Sequence, residues 1–344
     1  MNGYERIQAA MRGGQPDRVP VMLHNFMPAA REAGFSQREF GTDPEKAAQA
    51  FIQAAEKYDL DGIIMDLDTA TIAGALGVPV DFPDDAPARC ERGLLKSLAD
   101  LDALDVPNVG RNEHLQVWLE TMRLLKAHFG NEKYLRGSVD QAPFSMASML
   151  RTPAEWLYDL MDDEQIEPAH RLLDYCTQAS CQFIRLMAGA GAHMVATGDS
   201  PAGPDMISPA MYREFARPYE DRLAECAHAC GMPYLLHICG NTTAILDQFV
   251  GRRLDAVELD YKTDMRRVHE TLKNSGVAFW GNIDPSGVLA RGTPETVHRE
   301  TIRLIEQFAG TPRFVLNSGC ALPSAVPEEN IRTFLSAAGR TVAC

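Results

Sequence analysis

His193–His237, which reads HMVATGDSPAGPDMISPAMYREFARPYEDRLAECAHACGMPYLLH, contains the pattern that decides the fold. A short apolar run, His193–Thr197, is followed by a helical pattern over Pro209–Cys230 and then by a second apolar run, Tyr234–His237. Strands that alternate with helices pair in parallel through right-handed crossovers. The stretch therefore predicts one strand–helix–strand unit of an α/β fold.

The same alternation extends outward over the rest of the chain. The predicted strands are Val19–Leu23, Gly62–Asp66, Tyr134–Ser138, His193–Thr197, Tyr234–His237, Ala256–Leu259, Val277–Gly281 and Phe314–Leu316. Helical patterns lie between most of them, at Pro44–Tyr58, Pro168–Ala188, Pro209–Cys230 and Thr293–Phe308. Eight strand–helix units fit a closed (β/α)8 TIM barrel better than an open sheet.

The domain organisation follows from length and from the absence of a linker. The sequence has 344 residues without a low-complexity segment, and single barrels commonly reach this size. We expect residues 1–344 to form a single barrel domain with an N-terminal helix before the first strand. Phe82–Asn112 is a long polar insertion with a short predicted helix near Leu98–Leu104, and we interpret it as a lid or a docking surface.

Composition narrows the classes of partner. The net charge of −14 argues against nucleic acid or an anionic membrane as the main partner, because binding to phosphates needs a basic surface. The sequence has no signal-peptide pattern and no apolar run of about 18 residues. We expect a cytoplasmic protein, a monomer or a homodimer. Its eight cysteines would then be core residues, metal ligands or catalytic thiols rather than disulfides.

Polar side chains stand at the C-terminal ends of all eight predicted strands, where barrel enzymes place their active sites. In chain order they are His24 and Asn25, Asp66 and Asp68, Asp140, Asp199, His237 and Cys239, Glu258 and Asp260, Asn282 and Asp284, and Cys320. One such residue is common in any barrel, but a set at every strand end predicts an enzyme site.

The sharpest local motif is His237-Ile238-Cys239-Gly240 at the end of the fifth predicted strand. Residues two apart in a strand share a face, so His237 and Cys239 can approach one ion, and Gly240 lets the backbone turn away. Cys320, just beyond the eighth strand, offers a third ligand. One imidazole and two thiolates suit zinc, and three protein ligands leave an open position, which is typical of a catalytic site. The spacing alone is also compatible with core packing, a common role of free cysteine.

Several motifs together resemble the uroporphyrinogen decarboxylase superfamily. They are Arg12–Pro20 (RGGQPDRVP), His237–Thr242 (HICGNT), Gly281–Pro285 (GNIDP), Asn317–Cys320 (NSGC) and Pro327–Ile331 (PEENI). Within the superfamily the resemblance is to the methylcobamide-dependent methyltransferase branch of the coenzyme M type. That branch has a zinc-binding His-x-Cys with a distant cysteine, so the resemblance implies zinc on His237, Cys239 and Cys320.

The resemblance also implies a reaction. We expect a zinc-dependent methyltransferase that moves a methyl group between a corrinoid protein and a small thiol. The reverse direction, from a small methylated donor such as a methyl ether or amine to the corrinoid, would use the same ligands. The sequence contains no corrinoid-binding Asp-x-His-x-x-Gly pattern. We therefore expect the methylcobalamin-type corrinoid to arrive on a separate partner protein that docks over the barrel mouth.

Two alternatives belong to other functional classes. The first is a metal-independent decarboxylase or lyase like the uroporphyrinogen decarboxylases. Those enzymes resemble one another in an Arg-Gln-Ala-Gly-Arg-Tyr segment after the first strand, where this sequence has His24–Ala29 (HNFMPA). A substrate with many carboxylates would lose its guanidinium partners here. The second alternative is a non-catalytic zinc-binding barrel, since a fold does not guarantee a function.

The remaining site residues are predictions of role. The predicted catalytic residues are Asp66, Asp68, Asp199 and Glu258, and the predicted substrate-binding residues are His24, Asn25, Asn241, Asn282 and Met146. The sequence leaves three roles open for Glu258: a fourth metal ligand, an acceptor for an imidazole N–H, or an acid at the barrel mouth without a role in metal binding. The sequence does not choose between Asp66 and Asp68. Asp284 precedes a proline and is equally compatible with a loop-fixing role. The other cysteines are expected to pack: Cys90, Cys176, Cys181, Cys226, Cys230 and Cys344.

Overall fold

The computed structural model describes residues 1–339, so Cys344 lies outside the described residues. The strands are β1 Gly62–Met65, β2 Val80–Asp81, β3 Arg89–Cys90, β4 Tyr134–Ser138, β5 Met194–Gly198, β6 Tyr234–Ile238, β7 Ala256–Leu259, β8 Ala278–Ile283 and β9 Phe314–Ser318. The α-helices are α1 Gly3–Met11, α2 Phe26–Glu32, α3 Gln37–Thr42, α4 Pro44–Lys57, α5 Thr71–Ala75, α6 Glu113–Phe129, α7 Pro143–Arg151, α8 Pro153–Asp159, α9 Ile166–Ala190, α10 Pro209–Met211, α11 Arg217–Ala229, α12 Met265–Leu272, α13 Pro294–Gln307 and α14 Glu328–Ala337. Among the described helices, none is both long enough and apolar enough to cross a membrane.

Seven parallel strands form one curled sheet in the order β1-β4-β5-β6-β7-β8-β9. The segment around Val21 occupies the eighth position, because Val21 forms a parallel bridge with Leu316 of β9. On its other side, the backbone N–H of Asp61, just before β1, donates to the Val21 carbonyl at 3.1 Å. The predicted TIM barrel is confirmed.

The first predicted strand, Val19–Leu23, is wrong as a regular strand, since only Val21 retains a bridge. The cause is Pro20, which has no N–H to donate to a neighbouring strand and is therefore disfavoured inside a sheet. The Pro20 carbonyl still accepts from the N–H of Leu316 at 2.9 Å. The barrel is thus closed at this position by isolated hydrogen bonds.

The predicted helix Pro209–Cys230 is interrupted, whereas the other predicted helices are observed within a few residues of their expected bounds. A π-helical turn, Tyr212–Ala216, separates α10 from α11. Pro218, at the start of α11, cannot donate a backbone hydrogen bond to the preceding turn, and such a position commonly breaks an α-helical ladder. An unpredicted β2–β3 hairpin spans the start of the long insertion, with β2 just before Phe82 and β3 inside the insertion, and a 3-10 helix, Leu98–Ala103, lies where the short helix is expected. The single-domain organisation stays a prediction.

Alternation along the strands separates two apolar layers and positions the site. Residues such as Leu135 and Phe279 pack outward between sheet and helices, whereas Tyr134, Leu235 and Trp280 pack inside the barrel. Helix α1 closes that interior from below, since the Trp280 indole N–H donates to the Met11 sulfur at 3.4 Å. Each apolar interior residue is followed two positions later by another inward-facing residue.

This period of two places polar side chains directly above the apolar layer. Two positions after an apolar interior residue of its strand, each of five strands carries a polar side chain. These side chains are Arg136 in β4, His237 in β6, Glu258 in β7, Asn282 in β8 and Asn317 in β9. The strand register then brings them level, because His237 pairs with Glu258 across β6 and β7, and Asn282 pairs with Asn317 across β8 and β9. A polar layer therefore lines the upper interior of the barrel.

At the opposite end of the barrel, His193 is held in its neutral form. Its Nδ1 accepts the backbone N–H of Leu135 at 3.0 Å, and its Nε2 lies 3.0 Å from the Asn131 side-chain oxygen. Burial and the nearby Lys126 ammonium lower the pKa of His193 to about 4. Protonation of the ring would remove the acceptor that Leu135 uses.

We predict that His193 makes the fold less stable as the pH falls from about 6.5, the ordinary histidine pKa, toward 4. The unfolded chain binds the proton at a higher pH than the folded chain, so stability is present above this window and is lost through it. Because the ring is partly exposed, we expect a contribution of only about 1 kcal/mol between pH 7 and pH 5. Urea unfolding at both pH values should show a smaller pH-dependent loss for His193→Asn than for the wild type. Equal losses would contradict the prediction.

Candidate metal centre

The His-x-Cys motif lies where β6 leaves the barrel. His237 is in the strand, Cys239 follows its end, and Gly240 makes the turn with a φ of +82°. A Cβ on Gly240 would also meet the Asp205 carboxylate, which would have to move, but it is the positive φ that favours glycine here. The N–H of Gly240 donates to the Asp260 carboxylate at 3.0 Å, which fixes the turn.

The three predicted metal ligands come together. His237 Nε2 lies 3.0 Å from Cys239 Sγ, and Cys239 Sγ lies 3.7 Å from Cys320 Sγ, which follows β9. The three ligand atoms all lie within 4.8 Å of one another, and within residues 1–339 they form the one such group of His, Cys and acidic side chains. A tetrahedral zinc with bonds of about 2.0–2.3 Å needs donor atoms roughly 3.3–3.8 Å apart. The donor set fits zinc in type; the 3.7 Å between the two sulfurs lies in this range, and the 3.0 Å between His237 Nε2 and Cys239 Sγ is slightly shorter.

The two sulfurs share a negative charge beside the imidazole. Hydrogen bonding from the Cys320 thiol, together with the charge of His237, lowers the pKa of Cys239 to about 3. The Cys239 sulfur and burial in turn raise the pKa of Cys320. Burial by itself would lower the pKa of His237, but the charge on Cys239 and its hydrogen bonds raise it. An anionic sulfur beside an imidazole is a donor set that attracts a cation.

Glu258 contacts the imidazole from the side away from the sulfurs. It is fully buried, and its Oε1 lies 3.1 Å from His237 Nδ1. Its Oε2 accepts hydrogen bonds from the Arg136 guanidinium and, at 3.1 Å, from the Asn317 side-chain amide. Burial would raise the pKa of Glu258, but Arg136 and His237 lower it below its usual range. Of the predicted roles for Glu258, the short distance favours the acceptor of the imidazole N–H, although neither Oε1 nor Nδ1 makes a hydrogen bond with full geometry within residues 1–339.

The sequence analysis does not predict Arg136 as a site residue, and it includes Asn317 only as part of the Asn317–Cys320 motif. Both side chains are almost fully buried, and the Arg136 guanidinium also lies 5.7 Å from the centre of the Trp280 ring. The signal was present in the sequence, because an arginine two positions after Tyr134 in an otherwise apolar strand must share its inward face. Buried arginine requires a partner, and the partner here is Glu258.

A second polar group consists of His24, Asn25 and Asp66 at the ends of the neighbouring first and second barrel positions. His24 Nε2 lies 2.8 Å from Asp66 Oδ2. His24 Nδ1, Asn25 Nδ2 and Asp66 Oδ1 are buried and have no hydrogen-bond partner within residues 1–339. Near them, burial and the charge of Asp66 raise the pKa of Asp140 to about 7. Buried polar atoms without partners are suited to receive the polar groups of a ligand.

The carboxylates of Asp68 and Asp199 are engaged in local structure. Asp68 accepts the backbone N–H groups of Ala70 and Thr71 and the Thr71 hydroxyl at 2.6–2.7 Å, and burial raises its pKa to about 6. Asp199 accepts the N–H and hydroxyl of Ser145 through Oδ1, while its buried Oδ2 has no hydrogen-bond partner within residues 1–339; burial, followed by the charge of Glu220, raises its pKa. Asp66, and not Asp68, thus has an unpartnered oxygen. Catalytic roles for all these carboxylates stay predictions.

The other predicted substrate-binding residues are dispersed. Asn241 is exposed and accepts the N–H of Thr243 at 3.0 Å. Asn282 is buried and donates to the Asp260 carbonyl at 3.2 Å, and Met146 is fully buried in the core on α7. Asp284 accepts the N–H groups that follow Pro285, which matches its loop-fixing interpretation. None of these contacts reaches the ligand atoms, and substrate binding by these residues stays a prediction.

Comparison with known proteins places this geometry in context. Residues 2–341 match the family model described as uroporphyrinogen decarboxylase (URO-D). The chain is 26% identical to the methylcobamide:CoM methyltransferase MtbA of Methanosarcina mazei, over 97% of this chain and 96% of that protein. It is 30% identical to a uroporphyrinogen decarboxylase of Syntrophotalea carbinolica, over 95% of this chain and 94% of that protein.

Two solved structures share the fold. A methyltransferase from Methanosarcina mazei superimposes with a TM-score of 0.88 at 22% identity, over 98% of each chain. A B12-independent methionine synthase from a Shewanella species superimposes with a TM-score of 0.56 at 12% identity, over 86% of this chain and 85% of that one. At these identities the two superpositions bear on the fold alone.

Proposed function

Because the chain belongs to the uroporphyrinogen decarboxylase family and gathers His237, Cys239 and Cys320 at its barrel mouth, we propose that it is a zinc-dependent methyltransferase. It moves a methyl group between a corrinoid protein and a small thiol, or from a small methylated donor to the corrinoid. The single observation that carries the proposal is the convergence of one imidazole and two cysteine sulfurs within 4.8 Å. The likeness to the methylcobamide:CoM methyltransferase of Methanosarcina mazei supports the same reaction class.

The residues around the site have separable tasks. His237 Nε2, Cys239 Sγ and Cys320 Sγ would hold the zinc and leave one position for substrate. Glu258, with Oε1 3.1 Å from His237 Nδ1, would hold the imidazole in the tautomer that presents Nε2, and Arg136 with Asn317 would keep Glu258 charged and oriented. Zinc, when bound, supplies a Lewis acid that lowers the pKa of a thiol or polarises an ether oxygen.

The polar group of His24, Asn25 and Asp66 would bind the substrate. Its three unpartnered atoms offer an amide donor, an imidazole nitrogen and a carboxylate oxygen, all nearly removed from water. A bound substrate that satisfied them would be oriented before reaction, and orientation is a large part of the rate that an enzyme gains. The corrinoid would come on a partner protein, because a barrel interior this polar and narrow is filled by its own side chains.

Decarboxylation is the second candidate, and the relative from Syntrophotalea carbinolica favours it. Two observations oppose it. The place after the first strand carries His24 and Asn25 rather than arginines, and the buried Arg136 is engaged by Glu258. A non-catalytic zinc-binding barrel would show the same metal site without turnover.

The proposal is tested by a methyl-transfer assay with the full chain. Methylcobalamin, free and on a corrinoid protein, is offered with small thiols including coenzyme M, and the reduced corrinoid is offered with methyl ethers and amines. We expect transfer in one of these directions, lost on treatment with a chelator and restored by zinc, with uroporphyrinogen unchanged. Conversion of uroporphyrinogen in the presence of the chelator would support the decarboxylase instead. Tight zinc binding without turnover in any of these assays would support the non-catalytic zinc-binding barrel.

A further inference from the structure

Two cysteines share a groove on the outer surface of the barrel. The groove lies between α9 and α11, which pack against each other, and has a volume of about 510 Å³. Its lining includes Cys181, Gln182 and Arg185 from α9 and Arg222, Glu225 and Cys226 from α11. Both helices lie outside the sheet, and neither cysteine belongs to the group around His237. The groove is therefore separate from the metal centre.

The two cysteines are in contact across the helix interface. The Cys226 thiol donates a hydrogen bond to the backbone carbonyl of Cys181 at 3.5 Å, and both cysteines are free. Cys230, one turn beyond Cys226 on the same chain segment, does not line the groove. We propose that Cys226 and Cys181 form a thiol–disulfide exchange site that reacts with small anionic disulfides.

The charges of the groove indicate the class of reagent. Arg222 is ion-paired with Asp174, and Glu225 with Arg253, whereas Arg185 has no ion-pair or hydrogen-bond partner within residues 1–339. A guanidinium without a partner attracts carboxylate and sulfonate groups and disfavours amines. A disulfide with an acidic substituent would thus place its charge at Arg185 while its sulfurs lie beside the cysteines.

The same surroundings activate one thiol. The hydrogen bond with Cys181, and after it the charge of Arg185, lower the pKa of Cys226 to about 7, although burial opposes the change. The hydrogen bond with Cys226, and after it burial, raise the pKa of the partner thiol, Cys181. Cys226 is only 7% exposed, but it lines the groove, and a lowered pKa with a second cysteine beside it is shared with thiol-exchange and redox-sensing sites.

The exchange has two balanced steps. The Cys226 thiolate attacks one sulfur of the small disulfide, forms a mixed disulfide and releases one thiolate. Cys181 then loses its proton to solvent and attacks the Cys226 sulfur, which releases the second small thiolate and leaves a Cys181–Cys226 disulfide. The two protein thiols are oxidised by two electrons, and the small disulfide is reduced to two thiols. The resulting bond would join α9 to α11.

A pair of matched reagents tests the proposal on the full chain. Dithiodiglycolate carries two carboxylates and cystamine carries two amines, and the modified peptides are identified by mass spectrometry. We expect Cys226 to react first, with a pH midpoint near 7 rather than about 8.5, and roughly tenfold faster with dithiodiglycolate at low salt. The final product should be the Cys181–Cys226 disulfide.

Three variants complete the test. Cys181→Ser should stop at the mixed disulfide on Cys226, Cys226→Ser should abolish reaction in the groove, and Cys230→Ser should behave as wild type. The proposal is overturned if cystamine reacts as fast as dithiodiglycolate, if Cys226 reacts no faster than an ordinary thiol, or if the disulfide forms with Cys230. Circular dichroism checks that each variant is folded. If a variant is not folded, the comparison of the two reagents on the wild-type protein decides the test.

Discussion

Replacing Cys320 by alanine will abolish tight zinc binding and lower methyl transfer by about 100-fold or more. Cys320 supplies one of two sulfurs, and His237 with Cys239 alone would leave two positions of a tetrahedral site to water. Loss even of a residue that only supports a zinc ligand typically costs about 10–100-fold in metal affinity or activity. Zinc content after dialysis and the methyl-transfer rate measure the two effects.

Cys230→Ala is the matched control for this substitution. It also removes one partly buried thiol, but Cys230 lies outside the group of ligand atoms and outside the barrel mouth. Zinc content and the rate of methyl transfer should therefore equal those of the wild type. If the two variants lose zinc and activity to the same extent, the assignment of Cys320 as a ligand is wrong.

The second large effect is on stability. Arg136→Met should lower the free energy of unfolding by about 3–5 kcal/mol, because it leaves the charge of Glu258 buried without its main partner. Both side chains are almost fully buried, at 2% and 0% exposure, so water cannot replace the guanidinium. Methionine keeps much of the volume over Trp280, so most of the loss arises from charge rather than from a cavity. Urea unfolding at neutral pH measures the change.

A surface ion pair provides the comparison. Arg171 and Asp102 lie 2.7 Å apart with exposed side chains, so Arg171→Met should cost less than about 1 kcal/mol. Adding Glu258→Gln to Arg136→Met should recover part of the stability, since a neutral amide needs no counter-charge. Equal costs for Arg136→Met and Arg171→Met would show that the buried pair is not the support described here.

Much of the fold could be predicted because the strands carry their own pattern. Tyr134–Ser138 and Ala256–Leu259 were predicted with their observed bounds, since each is a short apolar run between helical segments. The first strand was not predicted correctly. Val19–Leu23 has the apolar character of a strand, but Pro20 has no backbone N–H to donate to a neighbouring strand. The break before α11 was hidden in the same way, since amphipathic periodicity continues across Pro218 even though the hydrogen-bond ladder does not.

The site residues that lie in strands could also be predicted more readily than those that follow a turn. His237 and Cys239 could be predicted as a pair because a strand fixes which residues share a face, and the structure brings Cys320 to them. Asn241 is two residues beyond Cys239, but the turn at Gly240 directs it to solvent. Loop direction after a strand depends on tertiary contacts that sequence spacing does not reveal. Arg136 was missed because polar residues were sought at strand ends, whereas it lies inside β4.

Zinc K-edge X-ray absorption on the purified wild-type protein tests the central claim most directly. We predict about one zinc per chain, with two sulfur neighbours at about 2.3 Å, one imidazole nitrogen at about 2.0 Å and one light ligand from water or substrate. A folded wild-type protein that takes up no zinc when zinc is added, or that binds it without sulfur neighbours, would contradict the account. His237, Cys239 and Cys320 would then be packing residues, and the decarboxylase would become the leading candidate.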